Sequence, residues 1–367
     1  MTGVDSRPTR AAYVLVVSAS LLSQALFCWP LQIAIRAGQN AILVIPFAVG
    51  WSVMIAAAST RVMNVNLGAR AQVLLRALDL AALSLLIVTD GFVVSMFCSM
   101  LRAVFYVETP RPALLLPLVG VAAWAAWQGK WAAARVTSLW MPLLFIAAGI
   151  GIGLGLTNVG FGRAVIPNRT VLLLPIFQAV GVLAYAAVPL GVTIRQWIPE
   201  VQGRIRGRRS TLAVLMPWTL LTTLYAMSVT TLGADALVRV RWPLVFTLEQ
   251  VTVDSAFFIS RIGIGIIFGW TAATIVGGMI HLTTVGGWVS GGARRPSPGW
   301  GIVPAAVIIA GIALVVSSPT EATRWLIGFW DRFCAAYLIA EALVLFGVLV
   351  GPVMAARRAT RLATHHP

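Results

Sequence analysis

The chain is built of long apolar runs that alternate with short polar segments. Apolar runs of membrane-spanning length predict ten helices. These lie at about 13–36, 39–60, 73–104, 112–128, 131–156, 171–196, 210–233, 254–284, 301–318 and 333–355. The fourth and the ninth runs are the shortest. The pattern predicts an all-α polytopic membrane protein in which residues 1–367 form one integral membrane domain.

Composition supports this class. The chain is 59% hydrophobic and only 10% charged, and its mean hydropathy is +0.91. Soluble domains carry about 25% charged and about 45–50% apolar residues. The net charge of +16 raises the question of nucleic-acid binding, but the arginines lie in short loops between apolar runs. Such loop charges set membrane orientation, so we expect no nucleic-acid partner.

The distribution of loop charges predicts the orientation. With ten helices, 17 of the 27 Lys and Arg residues lie on the side of both termini, and 10 lie on the other side. Cytoplasmic loops carry the excess of positive charge, so both termini are predicted to be cytoplasmic. The most basic loop, Pro199 to Ser210, reads PEVQGRIRGRRS. It is interpreted as an orientation anchor, with binding of anionic lipid or of a partner subunit as the alternative.

Residue patterns typical of catalysis or metal binding are absent from the sequence. It contains no phosphate-binding loop, nucleophile elbow or HExxH motif. The three cysteines, Cys28, Cys98 and Cys334, lie in apolar segments at unrelated spacings, and His281 is isolated from the terminal pair His365 and His366. We therefore expect no enzyme activity, no metal site and no cofactor.

The first predicted helix is interrupted near its middle. Ser23, Gln24 and Ala25 place small and polar groups in mid-span, and Pro30 follows without a backbone N–H to donate. Freed backbone groups are tolerated in lipid only where protein or a cavity satisfies them. The interruption therefore indicates either a packed kink or half of a ligand site.

The sixth predicted helix has a similar weak point. Ala187 and Val188 precede Pro189, and Gly191 follows it closely. Breaks in helices one and six are typical of a five-plus-five inverted repeat whose unwound segments hold the substrate. Ligand-site residues are therefore hypothesised at Ser23, Gln24 and Ala25 in the first helix. The hypothesis adds Ala187, Val188 and Gly191 in the sixth, with ordinary kinks as the alternative.

Two acidic residues lie inside the third predicted helix. Asp79 and Asp90 are 11 residues apart, which places them on one face at about 16 Å separation. Asp79 has Arg76 within reach as a partner near the cytoplasmic end. Asp90 is the deeper residue, and an intramembrane carboxylate indicates either a transport pathway or an internal pair. Asp90 is therefore the candidate pathway or coupling residue.

Five local patterns in order along the chain resemble one known family. They are WPLQIAIRAGQNA (Trp29–Ala41), ETPRPALLL (Glu108–Leu116), GKWAAARVTSLWMPL (Gly129–Leu143), RWPLVF (Arg241–Phe246) and SRIGIGIIFGW (Ser260–Trp270). Together they are similar to the spore-germination permeases. These are the B-type subunits of nutrient germinant receptors, within the amino acid–polyamine–organocation superfamily.

The sequence departs from that family at polar positions. Ser23, Gln24 and Ala25 stand where the family has a Gly-x-Gly-like break. Ser260 and Gly263 stand where the family has acidic residues flanking an arginine. These differences remove polar anchors, so the ligand's identity does not carry over.

The resemblance implies a LeuT-like core within 13–284 and peripheral helices within 301–355, which makes Glu341 a structural residue. It implies a subunit that recognises a small amino-acid-like nutrient and triggers germination. Such a subunit works with A- and C-type partners in the inner spore membrane. Two alternatives remain open: an autonomous proton-coupled amino acid or amine transporter in the cell membrane, and a structural subunit without a ligand.

Overall fold

Helices make up most of the described structure. The computed structural model describes residues 7–25, 41–65, 67–157, 187–240, 242, 246–247, 262–291, 299–316, 318–325 and 331–363. The helices are α1 (Arg10–Ala25), α2 (Ala41–Val62), α3 (Ala69–Val104), α4 (Arg111–Trp127), α5 (Lys130–Thr157), α6 (187–197), α7 (Gly207–Leu232), α8 (Ala234–Arg239), α9 (Ile262–Val289), α10 (Ile302–Val315), α11 (Pro319–Trp325) and α12 (Asp331–Ala363). A short 3₁₀ turn, Ile198–Glu200, follows α6.

Six of the described helices are long and apolar enough to cross a membrane. They contain the spans Leu43–Val62, Ala69–Val104, Lys130–Gly153, Gly207–Leu232, Phe268–Val289 and Arg332–Val350. The apolar helices α4 and α10 are shorter. The described residues therefore form a helical membrane protein, as predicted, and the count of ten spanning helices and the inverted repeat stay predictions.

Helix α1 lies at the centre of the described bundle. It packs against α5, α7 and α9, while α2 packs against α7, and α9 packs against α4 and α5. Nearly every α1 side chain from Ala12 to Gln24 is buried. Small residues such as Ser20 and Ser23 allow this, because membrane helices approach closely where side chains are short. At one such contact Gly277 of α9 faces Ser23, and a Cβ added at Gly277 would overlap the Ser23 side chain.

The last described helices also pack on the bundle. α10 lies against α3, α4 and α9, and α12 lies against α2 and α3. Large apolar side chains are exposed on the outer faces of several helices, among them Trp124, Leu139, Ile146 and Val307. These faces suit contact with lipid, because a bilayer solvates apolar side chains as well as a protein core does.

The backbone of α6 corrects one prediction. Residues 187–197 form a continuous helix, so the unwound segment expected at Ala187, Val188 and Gly191 is not observed there. Residues 158–186, which complete the sixth predicted helix, lie outside the described residues. In the first predicted helix, Ser23 and Gln24 are helical within α1, and Pro30 lies outside the described residues.

Candidate intramembrane polar site

A carboxylate and an imidazole meet in the interior of the bundle. Asp90 of α3 and His281 of α9 are both buried. Nδ1 of His281 lies 2.9 Å from Oδ1 and 3.0 Å from Oδ2 of Asp90. Because a carboxylate only accepts, Nδ1 carries the proton of this bond. The pair therefore joins α3 to α9 inside the membrane-spanning region.

Helix α1 completes the hydrogen-bond network around this pair. Gln24 Nε2 donates a hydrogen bond to Asp90 Oδ1. Ser20 Oγ lies 3.0 Å from His281 Nε2 and 3.2 Å from Thr193 Oγ1 of α6. The cluster thus draws on four helices, α1, α3, α6 and α9.

His281 has partners in either protonation state. When the ring is neutral and protonated at Nδ1, Nε2 accepts the hydroxyl proton of Ser20 at 3.0 Å. When the ring is protonated on both nitrogens, Nε2–H donates instead to the Ser20 carbonyl oxygen at 3.2 Å. The Nε2 atom therefore lies within hydrogen-bond distance of both the hydroxyl and the carbonyl oxygen of one α1 residue, Ser20.

A small cavity adjoins the cluster. It measures about 30 Å³, which is room for about two water molecules. Its polar lining comes from Asp90, Ser23 and Thr274, and apolar side chains of α3, α4, α9 and α10 form the remainder. Ser23 Oγ already donates to Ser20 O, and Thr274 Oγ1 donates to Trp270 O. The polar groups therefore face the cavity mainly as acceptors, which suits a ligand that brings N–H donors.

A second buried cluster contains the shortest ion pairs in the described residues. Arg195 of α6 places Nε 2.7 Å from Asp79 Oδ1 and Nη1 2.7 Å from Glu341 Oε1. Nη1 also donates to Ser59 Oγ of α2 at 3.1 Å. A Cβ at Gly191 would lie 2.8 Å from Glu341 Cδ and 3.0 Å from Arg195 Nη1. Gly191 therefore allows α6 and α12 to approach closely at this cluster.

This cluster changes two expectations from the sequence. Asp79 pairs with Arg195 rather than with Arg76, which is exposed. Glu341 is fully buried and contacts Arg195 directly. It is consistent with a structural role, although its position is not at the outside of the bundle.

The predicted site residues separate into two groups. Ser23 and Gln24 lie with Asp90 at the first cluster. Ala187 and Val188 are buried in α6 but do not line the cavity, and Gly191 lies at the second cluster. Ala25 is the last residue of α1, and its side chain lies outside the described part of the chain. The ligand-binding role of all these residues stays a prediction.

Sequence reasoning missed the contacts that His281, Ser20 and Arg195 make. The isolation of His281 argues only against a metal site, but an ionisable residue in an apolar run is itself a signal of function. Arg195 counts as a loop charge in the orientation argument, whereas it is buried in α6. No group of three or more His, Cys, Asp or Glu residues could hold a metal within the described part of the chain.

Several residues of the family-like sequence patterns lie outside the described residues. Cys28, most of Trp29–Ala41 and most of Arg241–Phe246 are among them. Ser260 and the arginine that follows it are outside as well, while Gly263 falls in the first turn of α9.

The fold of this chain resembles that of a solved membrane transporter. No model of a known protein family matches the sequence, and no curated protein matches it either. The structure resembles that of Mhp1, a nucleobase-cation-symport-1 family transporter in a closed conformation with bromovinylhydantoin bound. The two share 12% identity at a TM-score of 0.55, over 95% of this chain and 81% of that one. At this identity the similarity concerns the fold alone, which is that of a LeuT-like membrane transporter.

Proposed function

We propose that this protein is a proton-coupled secondary transporter of a small amine or amino acid. The observation that carries the proposal is the buried Asp90–His281 pair, in which His281 has a partner in either protonation state. The similarity of the fold to a membrane transporter supports the same reading. Substrate crosses the membrane without chemical change, so no catalytic activity is proposed.

The substrate class follows from the acceptors around the cavity. The Asp90 carboxylate offers negative charge, and the Ser23 and Thr274 hydroxyls offer lone pairs. An ammonium group satisfies such acceptors with three N–H donors. The apolar remainder of the lining suits a short hydrocarbon portion. Because the described cavity holds only about two water molecules, the surrounding helices separate to admit the substrate.

Coupling follows from competition for Asp90. The carboxylate accepts from His281 and Gln24, so an arriving ammonium group shares an acceptor that is already in use. Protonation of His281 and binding of the ammonium both add positive charge beside one carboxylate. Each therefore alters the free energy of the other, and this coupling free energy is reciprocal.

The test is uptake by the purified chain alone in proteoliposomes. Labelled amino acids and amines are presented with and without an imposed proton gradient, and protein-free liposomes give the background. We expect gradient-driven uptake of at least one compound, abolished by a protonophore. Asp90→Asn should lose this uptake, whereas Glu108→Gln, in an exposed loop, should retain it. Absence of uptake for the whole panel, with correctly folded protein, would contradict the proposal.

The second candidate is the recognition subunit of a germinant receptor in the inner spore membrane. The five sequence patterns beginning at Trp29 favour it. Such a subunit binds an amino-acid-like nutrient and signals through A- and C-type partners. It should show saturable binding without flux and should co-purify with those partners. A structural subunit without a ligand would show neither binding nor flux.

A further inference from the structure

A second, larger cavity lies where α1 begins, α2 ends and α7 begins. It measures about 780 Å³, and five of its lining residues are arginines: Arg10, Arg61, Arg204, Arg206 and Arg209. None of the described residues that line it is acidic. It lies on the side predicted to be cytoplasmic.

Hydrogen bonds connect the helix ends that border the cavity. Ser210 Oγ lies 2.8 Å from Tyr13 Oη and accepts from Thr60 Oγ1 at 2.6 Å. All three side chains are buried. These bonds tie the first turns of α1 and α7 to the last turn of α2. Three of the five arginines, Arg10, Arg61 and Arg209, lie on the helix ends that these bonds connect.

The segment before α7 is also held in place. Arg10 Nε donates to Gln202 O at 3.2 Å, and Gln202 N donates to Pro8 O at 3.1 Å. Arg204 Nε donates to Asn64 Oδ1 at 3.2 Å. These contacts join the loop to α1 and to the end of α2. Hydrogen bonds therefore hold Arg10 and Arg204 beside the cavity.

The lining of this cavity carries an excess of positive charge. Five guanidinium groups around one space repel each other, and a bound anion would relieve that repulsion. Arg209 Nη1 is buried and has no hydrogen-bond partner among the described residues. The N-terminus of α7 adds its positive dipole end at Gly207, which also lines the cavity.

The orientation rule alone does not account for this arrangement. That rule requires basic residues on one side of the membrane, with no requirement that they converge. Arg208 satisfies the orientation rule although it is exposed and does not line the cavity. Its neighbour Arg209 lines the cavity and is partly buried. The two adjacent arginines therefore provide a matched comparison.

We infer that this cavity binds the phosphoryl group of an anionic ligand. An arginine guanidinium group can donate two parallel N–H hydrogen bonds to phosphate oxygens. A phosphoryl group also offers more oxygens and more negative charge than a carboxylate. The group belongs either to the headgroup of an anionic phospholipid or to a soluble phosphorylated compound. Its occupant bridges α1, α2 and α7.

The experiment uses the full chain and has two arms. In the soluble arm, delipidated protein in nonionic detergent is titrated with inorganic pyrophosphate by calorimetry, with chloride at equal ionic strength as the control. In the lipid arm, native mass spectrometry counts phosphatidylglycerol retained from mixed phosphatidylcholine–phosphatidylglycerol nanodiscs. Both arms compare wild type with Arg61→Gln, Arg209→Gln and Arg208→Gln.

We expect Arg61→Gln and Arg209→Gln to weaken binding about tenfold, the loss of one charged hydrogen bond. Arg208→Gln should change it less than about twofold. Selective loss in the pyrophosphate arm identifies a soluble ligand, and selective loss in the lipid arm identifies a headgroup. Arg61 is exposed, so its variant tests the site even if Arg209→Gln unfolds. Equal losses in all three variants, or no binding in either arm, would overturn the inference.

Discussion

Replacement of Arg195 by glutamine should destabilise the protein strongly, and more than removal of either carboxylate with which it pairs. Arg195 forms two ion pairs of 2.7 Å, and the side-chain exposures are 3% for Arg195, 8% for Asp79 and 0% for Glu341. Removing one partner of a buried pair costs about 3–5 kcal/mol, because a charge is left buried without compensation. Arg195→Gln leaves two such carboxylates, so we expect the upper part of that range.

The same cluster predicts an order among the variants. Counting both carboxylates as ionised, the cluster carries a net charge of −1. Glu341→Gln leaves one balanced pair between Asp79 and Arg195, so it should cost only about 1 kcal/mol for a weakened hydrogen bond. As a control, Glu200→Gln removes the Lys130–Glu200 pair, whose side chains are 15% and 28% exposed at 3.4 Å. Because this pair is partly open to solvent and longer than the Arg195 pairs, its loss should cost only about 1 kcal/mol.

The assay is reversible denaturant unfolding in mixed micelles, followed by tryptophan fluorescence, with the free energy of unfolding compared among the variants. The reasoning would be refuted if Arg195→Gln cost no more than Glu200→Gln. It would also fail if Glu341→Gln cost more than Arg195→Gln, because the charge count requires the opposite order.

Two further predictions follow from packing and orientation. Gly277→Ala should lower the thermal unfolding temperature and weaken uptake, because its new Cβ overlaps Ser23. Gly149→Ala, where a Cβ has open space, should leave both unchanged, and equal effects would contradict the α1–α9 contact. For orientation, after the native cysteines are replaced, a single cysteine within 203–210 should be protected from an external impermeant thiol reagent. A cysteine within 320–324 should react, and the reverse labelling would contradict cytoplasmic termini.

The sequence predicts the class of this protein well, because its strongest signal is the length of its apolar runs. Every one of the ten predicted runs overlaps a described helix. The depth of Asp90 in α3 is also visible in the sequence, since 11 residues from Asp79 correspond to three helical turns. These features depend on neighbouring residues along one helix, so a single sequence contains them.

Prolines are a weaker guide to the site. Pro46, Pro117, Pro142 and Pro217 all lie inside described helices, and Pro189 does so as well. In a helical bundle, neighbouring side chains and local adjustment satisfy the carbonyl that a proline frees. A proline within an apolar run therefore does not by itself indicate unwound backbone, which is why the break expected in α6 is absent at 187–197.

Pairing between distant helices could not be predicted. His281 and Asp90 are 191 positions apart, and Arg195 and Asp79 are 116 apart. Helical periodicity specifies which residues share a face, but it does not specify which two faces meet in a bundle of many helices. The interruption in the first run points to Ser23 and Gln24 as site residues. The reason for their position by Asp90 is the central packing of α1, which only the structure reveals.

The most direct test of the central claim is a comparison of two transport modes in Asp90→Asn proteoliposomes. Net uptake driven by a proton gradient requires coupling, whereas exchange of labelled for unlabelled substrate at equal pH requires only binding and movement. Asparagine keeps a hydrogen-bond acceptor at the cavity but removes the charge that His281 and the substrate share. We predict that gradient-driven uptake is lost while exchange persists, and that His281→Gln behaves in the same way. Full gradient-driven uptake by either variant, at equal protein abundance, would contradict the role of the Asp90–His281 pair in proton coupling.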